Sequence, residues 1–461
     1  MPDVIVVLPG ILGSVLQKDG REVWSLSREG VTGAFATLGR NINLLKLQDD
    51  PPDVDDIGDG VTATSLFPDV HLIPGLWKID GYGALRQWIL DTFEVRAGEN
   101  YFEFAYDWRR DNRVAARGLA RASRGWLKNW RERSGNASAK LVLIAHSMGG
   151  LVSRHFIEVL EGWRDTRALI TFGTPYRGSV KAVDFLCNGI QKSIGPLKVF
   201  DLTDLLRSFT SIYQLLPIYP SYDRGDGQLL RIGESAGIPN IDPVRAASAL
   251  AFHHGIEKAV ESNATREAYI RDRYRIYPIV GTFQPTLQSA KLVSGKVLTS
   301  TAYPGPNSRF AYDGDGTVPR VSATPIEDRG DANPVFVAEL HGSLQNTRMS
   351  LIQLEGLLAP HVPSAIFRDL ELPRVALQVD DLFAAGEPVQ LNVQCEDAEL
   401  SLDAFLVDAV SGREVARQVI PPRPATTRNA IFDKLAASTY RVTVGAQGRS
   451  QRVSDVFIVV D

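Results

Sequence analysis

The chain has 461 residues, 44% of them hydrophobic and 23% charged, with a formal net charge of -4. Such a composition can bury a sizeable core, the length favours two domains, and the small charge gives no electrostatic case for nucleic acid as a partner. Only two cysteines occur, Cys187 and Cys395, far apart in sequence, which excludes a disulfide framework. Neither a Cys/His cluster with metal spacing nor a phosphate-binding glycine loop is present, so no cofactor and no metal are expected.

In chain order, Val4 to Leu8 is a short apolar run ending in Pro9-Gly10, the pattern of a strand buried on both faces of a parallel sheet. No basic segment precedes it, and Pro9, Gly10 and Gly13 interrupt its continuation to Leu16, so it does not read as an export signal. Leu85, Trp88, Ile89 and Phe93 predict a helix over Gly83 to Phe93. An aromatic strand is expected at Tyr101 to Tyr106, a long amphipathic helix across Arg113 to Arg133 with its arginines on the solvated face, then strands at Lys140 to Ala145 and Leu169 to Phe172. Strands alternating with helices of this length indicate a doubly wound, mostly parallel α/β sheet.

From about Thr174 to Asp272 the chain makes a long excursion before apolar strands resume at Tyr274 to Val280 and Val335 to Glu339. Its segment Leu202 to Tyr219, with Phe209, Ile212, Tyr213, Leu215 and Leu216, is read as a helical cap or lid; a plain insertion packed on the core is the alternative. From Pro373 the pattern changes to short alternating strands, as in Val389, Leu391, Val393 and Cys395. This predicts an antiparallel, immunoglobulin-like β-sandwich over 373–461, after a catalytic domain over 1–365 and a linker at Pro360 to Pro373. No stretch reaches the roughly 20 apolar residues needed to span a bilayer, and a cytoplasmic location is expected.

The chemistry is carried by Leu141-Val142-Leu143-Ile144-Ala145-His146-Ser147-Met148-Gly149-Gly150, an apolar strand running through a serine into an apolar helix. This is a nucleophile elbow of the α/β-hydrolase kind, with Ala145 in place of the first glycine. Small neighbours are needed because the serine sits on a strained strand-to-helix turn. A serine hydroxyl needs a base, and the base needs an acid that fixes its tautomer. His341, on a loop after a late apolar strand, is the expected base, whereas His146 and His155 flank the nucleophile in packing or hydrogen-bonding roles and His71, His253, His254 and His361 are structural. The acid comes from Tyr312-Asp313-Gly314-Asp315-Gly316-Thr317-Val318-Pro319. Asp315 is the choice and Asp313 the alternative; a calcium loop lacks the later ligands of an EF-hand. Oxyanion donors are expected from the backbone of Met148 and of the turn Pro9 to Ser14, with Leu12 first and Ile11 next.

Six segments, LPGILGS at Leu8 to Ser14, YDWR at Tyr106 to Arg109, AHSMGG at Ala145 to Gly150, TFGTPYRGS at Thr171 to Ser179, YQLLP at Tyr213 to Pro217 and GDGTVP at Gly314 to Pro319, occur in an order that resembles the lecithin:cholesterol acyltransferase-like lipases and acyltransferases, particularly bacterial members. The resemblance implies Ser147 as nucleophile, Asp315 as acid, His341 as base, Leu12 and Met148 as oxyanion donors, and a mobile lid. It also implies lipid acyl esters as substrates, most plainly a membrane glycerophospholipid attacked at the membrane surface. Acyl transfer to an alcohol and a catalytically degenerate partner-binding module are the competing readings. The chain departs from the animal enzymes by lacking the cysteine pair that closes their small lid and by adding the C-terminal sandwich, a candidate surface for a protein partner. Asp107 and Arg109 are expected to form a structural ion pair. Because every expected catalytic residue precedes the sandwich, removing it is expected to spare cleavage of small soluble esters.

Overall fold

The computed structural model of the chain describes residues 1–24, 42–73, 77–194, 197–304, 313–327, 334–358, 372–423 and 427–460. Tyr312, His361 and residues 360–371 of the expected linker lie outside the described residues, as does the side chain of His71.

Six parallel strands form the central sheet: β1 (Val4–Leu8), β2 (Tyr101–Glu103), β3 (Leu141–His146), β4 (Thr166–Phe172), β5 (Arg275–Gly281) and β6 (Val335–Val337). Their spatial order is β6-β5-β4-β3-β1-β2. β1 pairs with β2 on one side and β3 on the other, Val6 lying between Phe102 and Leu143, and its five residues are no more than 2% exposed. The uninterrupted apolar run of β1 thus corresponds to a strand with both faces covered. The strand order reverses at β1 and β3. In open α/β sheets that reversal opens a crevice at the carboxyl ends of the strands, where ligands bind. Pro9-Gly10 and Ser147 both lie there.

The aromatic strand is shorter than expected. It ends at Glu103 because the following residues turn away to hold the loop after β1: Tyr106 Oη donates to the Pro9 carbonyl at 2.8 Å and Trp108 Nε1 to the Ser14 carbonyl at 2.9 Å. The helices α1 (Gly83–Thr92), α2 (Asn112–Ser134) and α3 (Gly149–Glu158) match expectation. Asp111 caps α2 by accepting from Arg113 N, and Gly135, at φ 70°, ends it.

The excursion after β4 carries α4 (Val180–Asn188), α5 (Thr203–Ser208), α6 (Thr210–Tyr213) and α7 (Pro243–Asn263), but it is not purely helical. An antiparallel hairpin joins Gln191–Ile194 to Leu197–Asp201. Tyr222–Asp223 pairs in parallel with Ser289–Val293, one arm of the hairpin inserted after β5. Two-residue strands of this kind leave no alternating pattern to read. The excursion nonetheless packs on the α/β part: Phe252 and Ile256 of α7 lie against Leu151 of α3, and Ser179 N donates to the Leu215 carbonyl at 2.7 Å.

The helix α8 (Arg348–Leu358) precedes the C-terminal strands β7 (Val375–Gln378), β8 (Leu382–Ala384), β9 (Val389–Cys395), β10 (Leu402–Asp408), β11 (Glu414–Ile420), β12 (Thr427–Phe432), β13 (Ser438–Gly445) and β14 (Val453–Val460). They form two sheets, β7-β9-β12 and β8-β14-β13-β10-β11. Pairing is antiparallel except between β8 and β14, where a three-residue edge strand runs parallel. Val389, Leu391, Val393 and Cys395 alternate inward and, with Leu406, Val442 and Phe457, fill a core separate from that of the α/β part.

The two parts meet through polar contacts that no local pattern announces. Lys78 Nζ bridges Asp381 at 2.7 Å and Asp455 at 2.9 Å, and Arg441 pairs with Asp80. The buried side chain of Gln284 bonds both the Val375 carbonyl and the Leu377 amide at 3.1 Å. Buried Glu339 accepts from Ser454 N at 3.1 Å, and burial holds its carboxyl well above the usual carboxylate range. Among the described residues no helix is long and apolar enough to cross a membrane.

Candidate active site

Ser147 follows β3 directly and adopts φ 52°, a left-handed conformation that costs a non-glycine residue about 1–3 kcal/mol and persists only where its surroundings impose it. Three small residues make room for it. A Cβ on Gly10 would stand 2.8 Å from the Ser147 Cβ, one on Gly149 2.5 Å from the Pro9 carbonyl oxygen, and one on Gly150 2.1 Å from Thr174 Oγ1. The strain is held by hydrogen bonds: Ser147 N donates to the Phe172 carbonyl at 2.8 Å, and the Ser147 carbonyl accepts from Thr174 Oγ1 at 2.9 Å.

His341 reaches Ser147 from the loop after β6, with Nε2 at 2.9 Å from Ser147 Oγ. Its Nδ1 lies 2.7 Å from Asp315 Oδ2. An ionised carboxylate only accepts, so Nδ1 carries the proton and Nε2 is left to accept from the serine hydroxyl. Asp315 is fixed by its own turn, since Oδ1 accepts from Thr317 N at 2.9 Å and Val318 N at 2.7 Å, leaving Oδ2 for the histidine. His341 N returns a bond to the Asp315 carbonyl at 2.8 Å. Asp313 is exposed and turns outward, its carbonyl accepting from Arg320 N. Of the two carboxylates, the structure brings only Asp315 to His341.

Leu12 and Met148 are 1% and 0% exposed and stand on the two turns that meet at Ser147. Leu12 has φ 63°, and its carbonyl is tied back by Trp24 Nε1 at 3.2 Å. Met148 is the N-cap of α3, where backbone N–H groups and the helix dipole favour negative charge. Beside Ser147 lies a cavity of about 40 Å³ walled by Ile11, Leu12, Phe185, Leu206, Ile212 and Leu215. Phe209 does not line it; it packs edge-on against Trp108 at 5.5 Å.

Further residues brace the site from behind. His146 is buried, Nδ1 3.0 Å from Tyr82 Oη and Nε2 2.9 Å from the His341 carbonyl. Tyr82 Oη accepts from Gly10 N at 2.8 Å, so one chain of bonds joins the turn after β1 to the backbone of His341. Burial, with the neighbouring His341 adding to it, keeps the His146 imidazole well below its ordinary value. Gly173, at φ 56°, leaves room behind the site, where a Cβ would be 2.7 Å from Asp315 Oδ2 and 2.9 Å from His341 Nδ1. Gly281 does the same for the Asp315 Cβ. Asp107 and Arg109 form the expected ion pair, extended by Asp59 at 2.8 Å and the Leu45 carbonyl at 3.0 Å.

A serine on a strained elbow with its histidine and carboxylate in hydrogen-bond sequence is an arrangement suited to acyl transfer. Residues 46–236 match the lecithin:cholesterol acyltransferase family. That match bears out the resemblance read from the sequence motifs. The matched stretch holds Ser147 and Met148 but begins after Leu12 and ends before Asp315 and His341. No curated protein matches the chain. Among solved structures, the chain is similar to the lipase BlEst2 of Bacillus licheniformis in its propeptide form, at 12% identity over 99% of this chain and 93% of that one, with a TM-score of 0.32. It is also similar to phospholipase PlaB of Legionella pneumophila, at 12% identity over 82% and 86% of the two chains, TM-score 0.32. A CARDB domain of the PF1109 protein from Pyrococcus furiosus matches 20% of this chain over 90% of its own length, at 11% identity and a TM-score of 0.15.

Proposed function

We propose that this chain cleaves acyl esters of lipids, most plainly glycerophospholipids at a membrane surface, through an acyl-enzyme on Ser147. The observation that carries the reading is the unbroken chain Ser147 Oγ, His341 Nε2, His341 Nδ1, Asp315 Oδ2, with links of 2.9 and 2.7 Å, ending against an apolar cavity. The family match over residues 46–236 supports a lipid-type ester over a small polar one. In this reading His341 takes the Ser147 proton as the hydroxyl attacks the ester carbonyl and delivers it to the departing alkoxide. Asp315 holds the tautomer and stabilises the imidazolium, and the amides of Leu12 and Met148 receive the oxyanion. Water then repeats the sequence to release the fatty acid. The division of labour proposed with it is a catalytic domain over 1–365, a cap over about 174–272 and a separate C-terminal sandwich over 373–461.

Ser147→Ala tests the reading. Loss of the nucleophile of a coupled triad costs on the order of a millionfold in kcat, so hydrolysis of a nitrophenyl butyrate is expected to vanish while thermal stability is kept. A fluorophosphonate is expected to label Ser147 alone. Half-maximal activity in the variant, or a label elsewhere, overturns the assignment. Fatty acid and lysolipid appearing in phospholipid vesicles would set the substrate class; their absence with the short ester still cleaved would point to a soluble ester.

A further inference from the structure

A second cavity, of about 270 Å³, has His341 and Asp315 in its lining. It lies between the loops after β5 and β6 and the C-terminal sandwich, which contributes Gln378, Asp381 and Asp455 to its lining. The two cavities share Lys181 and Thr317; Ser147 lines the apolar one, and His341 lines the one that carries the charged groups. We infer that the polar chamber is the alcohol-side subsite, that it takes a glycerol-like polyhydroxy alcohol, and that the sandwich is therefore part of the substrate site. This rests on the reading of Ser147 as nucleophile.

The chemistry of the triad assigns the side. The alkoxide leaving the tetrahedral intermediate must collect its proton from His341 Nε2, so the alcohol oxygen lies toward the histidine. By microscopic reversibility an alcohol that attacks the acyl-enzyme comes from the same place. Its O–H proton passes to His341 Nε2 as its oxygen bonds the acyl carbon; the bond from that carbon to Ser147 Oγ then breaks, and the serine recovers the proton. The lining decides the kind of alcohol. Lys78 is held at 2.7 and 2.9 Å by Asp381 and Asp455, which leaves that cluster with one carboxylate in excess. Lys181 supplies an amine at the junction of the cavities; burial pushes its pKa down, opposed by the nearby carboxylates of Asp381, Asp315 and Asp455. The result is a chamber in which the carboxylates of Asp80, Asp315, Asp381 and Asp455 and the amide of Gln378 lie near the amines of Lys78 and Lys181, among apolar side chains such as Ile79 and Leu340. Carboxylate, amide and amine groups set this close together offer partners to several hydroxyls at once.

The test measures how the acyl-enzyme divides between acceptors. The full-length protein is given nitrophenyl butyrate with glycerol or, separately, methanol, and nitrophenol, butyrate and the butyryl ester are quantified. Gln378→Trp, at an exposed position on the chamber wall, is expected to lower the ratio of glyceryl butyrate to butyrate by about tenfold or more, the size of one lost polar contact, while the ratio for methanol holds. Asp381→Asn is expected to shift the glycerol ratio in the same direction. A glycerol ratio that is unchanged, or that falls in step with methanol, overturns the inference. Absence of nitrophenol release from the wild type defeats the triad reading instead. The chamber is then tested by calorimetric titration of glyceryl monobutyrate into Ser147→Ala. Binding weakened about tenfold by adding Gln378→Trp supports the subsite, and equal binding removes it.

Discussion

At the scale of single residues, Asp315 and Asp313 differ by two positions and in everything that matters chemically. Asp315 is 1% exposed, spends one oxygen on two backbone amides and offers the other to His341. Asp315→Asn is expected to reduce turnover by roughly four orders of magnitude, as the wrong tautomer does in serine proteases, and Asp313→Asn to leave it within about twofold, since an exposed carboxylate away from the site carries little. Equal losses in a nitrophenyl ester assay would mean that the turn matters as a unit and the histidine's partner does not. Ser147, Asp315 and His341 were legible because reactive side chains come in few types and their order along the chain is constrained by the fold. Gly173 was not. It falls in the matched segment TFGTPYRGS, but its need for a hydrogen arises where the end of β4 passes behind two loops from 140 and more residues away, which no local pattern shows. Gly173→Ala is expected to fold yet lose activity through kcat, because its Cβ would push apart the very atoms of the Asp315–His341 bond.

At the scale of elements, the excursion after β4 was legible as an apolar insertion, but its inward and outward faces were not, because two short helices hold too few turns to show a stripe. Leu206, Ile212 and Leu215 face Ser147, whereas Phe209 is pinned on Trp108. These three side chains narrow the cavity beside Ser147, so removing bulk there makes room for an acyl chain. Ile212→Ala is therefore expected to raise kcat/KM for a butyryl or hexanoyl ester, while Phe209→Ser lowers the melting temperature and all activities together. A parallel fall for both variants would make the segment ordinary core. The seam between α3 and α7 carries a different prediction. His155 stacks on Phe252 and His253 sits near the Gln214 carbonyl at 2.8 Å. Burial pushes both imidazoles down to about 4. A base depressed in the folded state stabilises it above the unfolded value near 6.5 and loses that contribution as pH falls from there to about 4, up to roughly 3 kcal/mol apiece. Melting temperature is expected to drop steeply over that interval. His155→Phe, which keeps the stack and removes the titrating group, is expected to flatten the slope; an unchanged slope would assign the acid sensitivity to other groups.

At the scale of the whole molecule, the two parts were legible through their different periodicities, 3.6 and 2, but their dependence on one another was not. The contacts joining them run between residues 91 to 377 positions apart and use side chains that look like ordinary surface residues in sequence. The expectation that the sandwich could be removed without harm to small-ester cleavage followed from the order of the catalytic residues alone, and the geometry argues the other way. Gln284, whose amide N–H bonds the Gly314 carbonyl at 2.9 Å next to Asp315, has its side chain committed to the Val375 carbonyl and the Leu377 amide of β7. Glu339, two residues before His341, is committed to Ser454 of β14. Deleting residues 373–461 strips partners from polar groups at about 1–3 kcal/mol each where they remain shielded from water, and it does so under both the acid loop and the histidine loop. The truncated chain is expected to lose at least tenfold in kcat on nitrophenyl butyrate, an energy of about 1.4 kcal/mol, together with a lower melting temperature. Gln284→Ala in the intact chain is expected to reproduce part of the kcat loss with KM little changed, since it loosens Asp315 without touching the acyl pocket. A soluble truncation that cleaves the ester at the wild-type rate would show that the sandwich is only attached to the site and does not brace it.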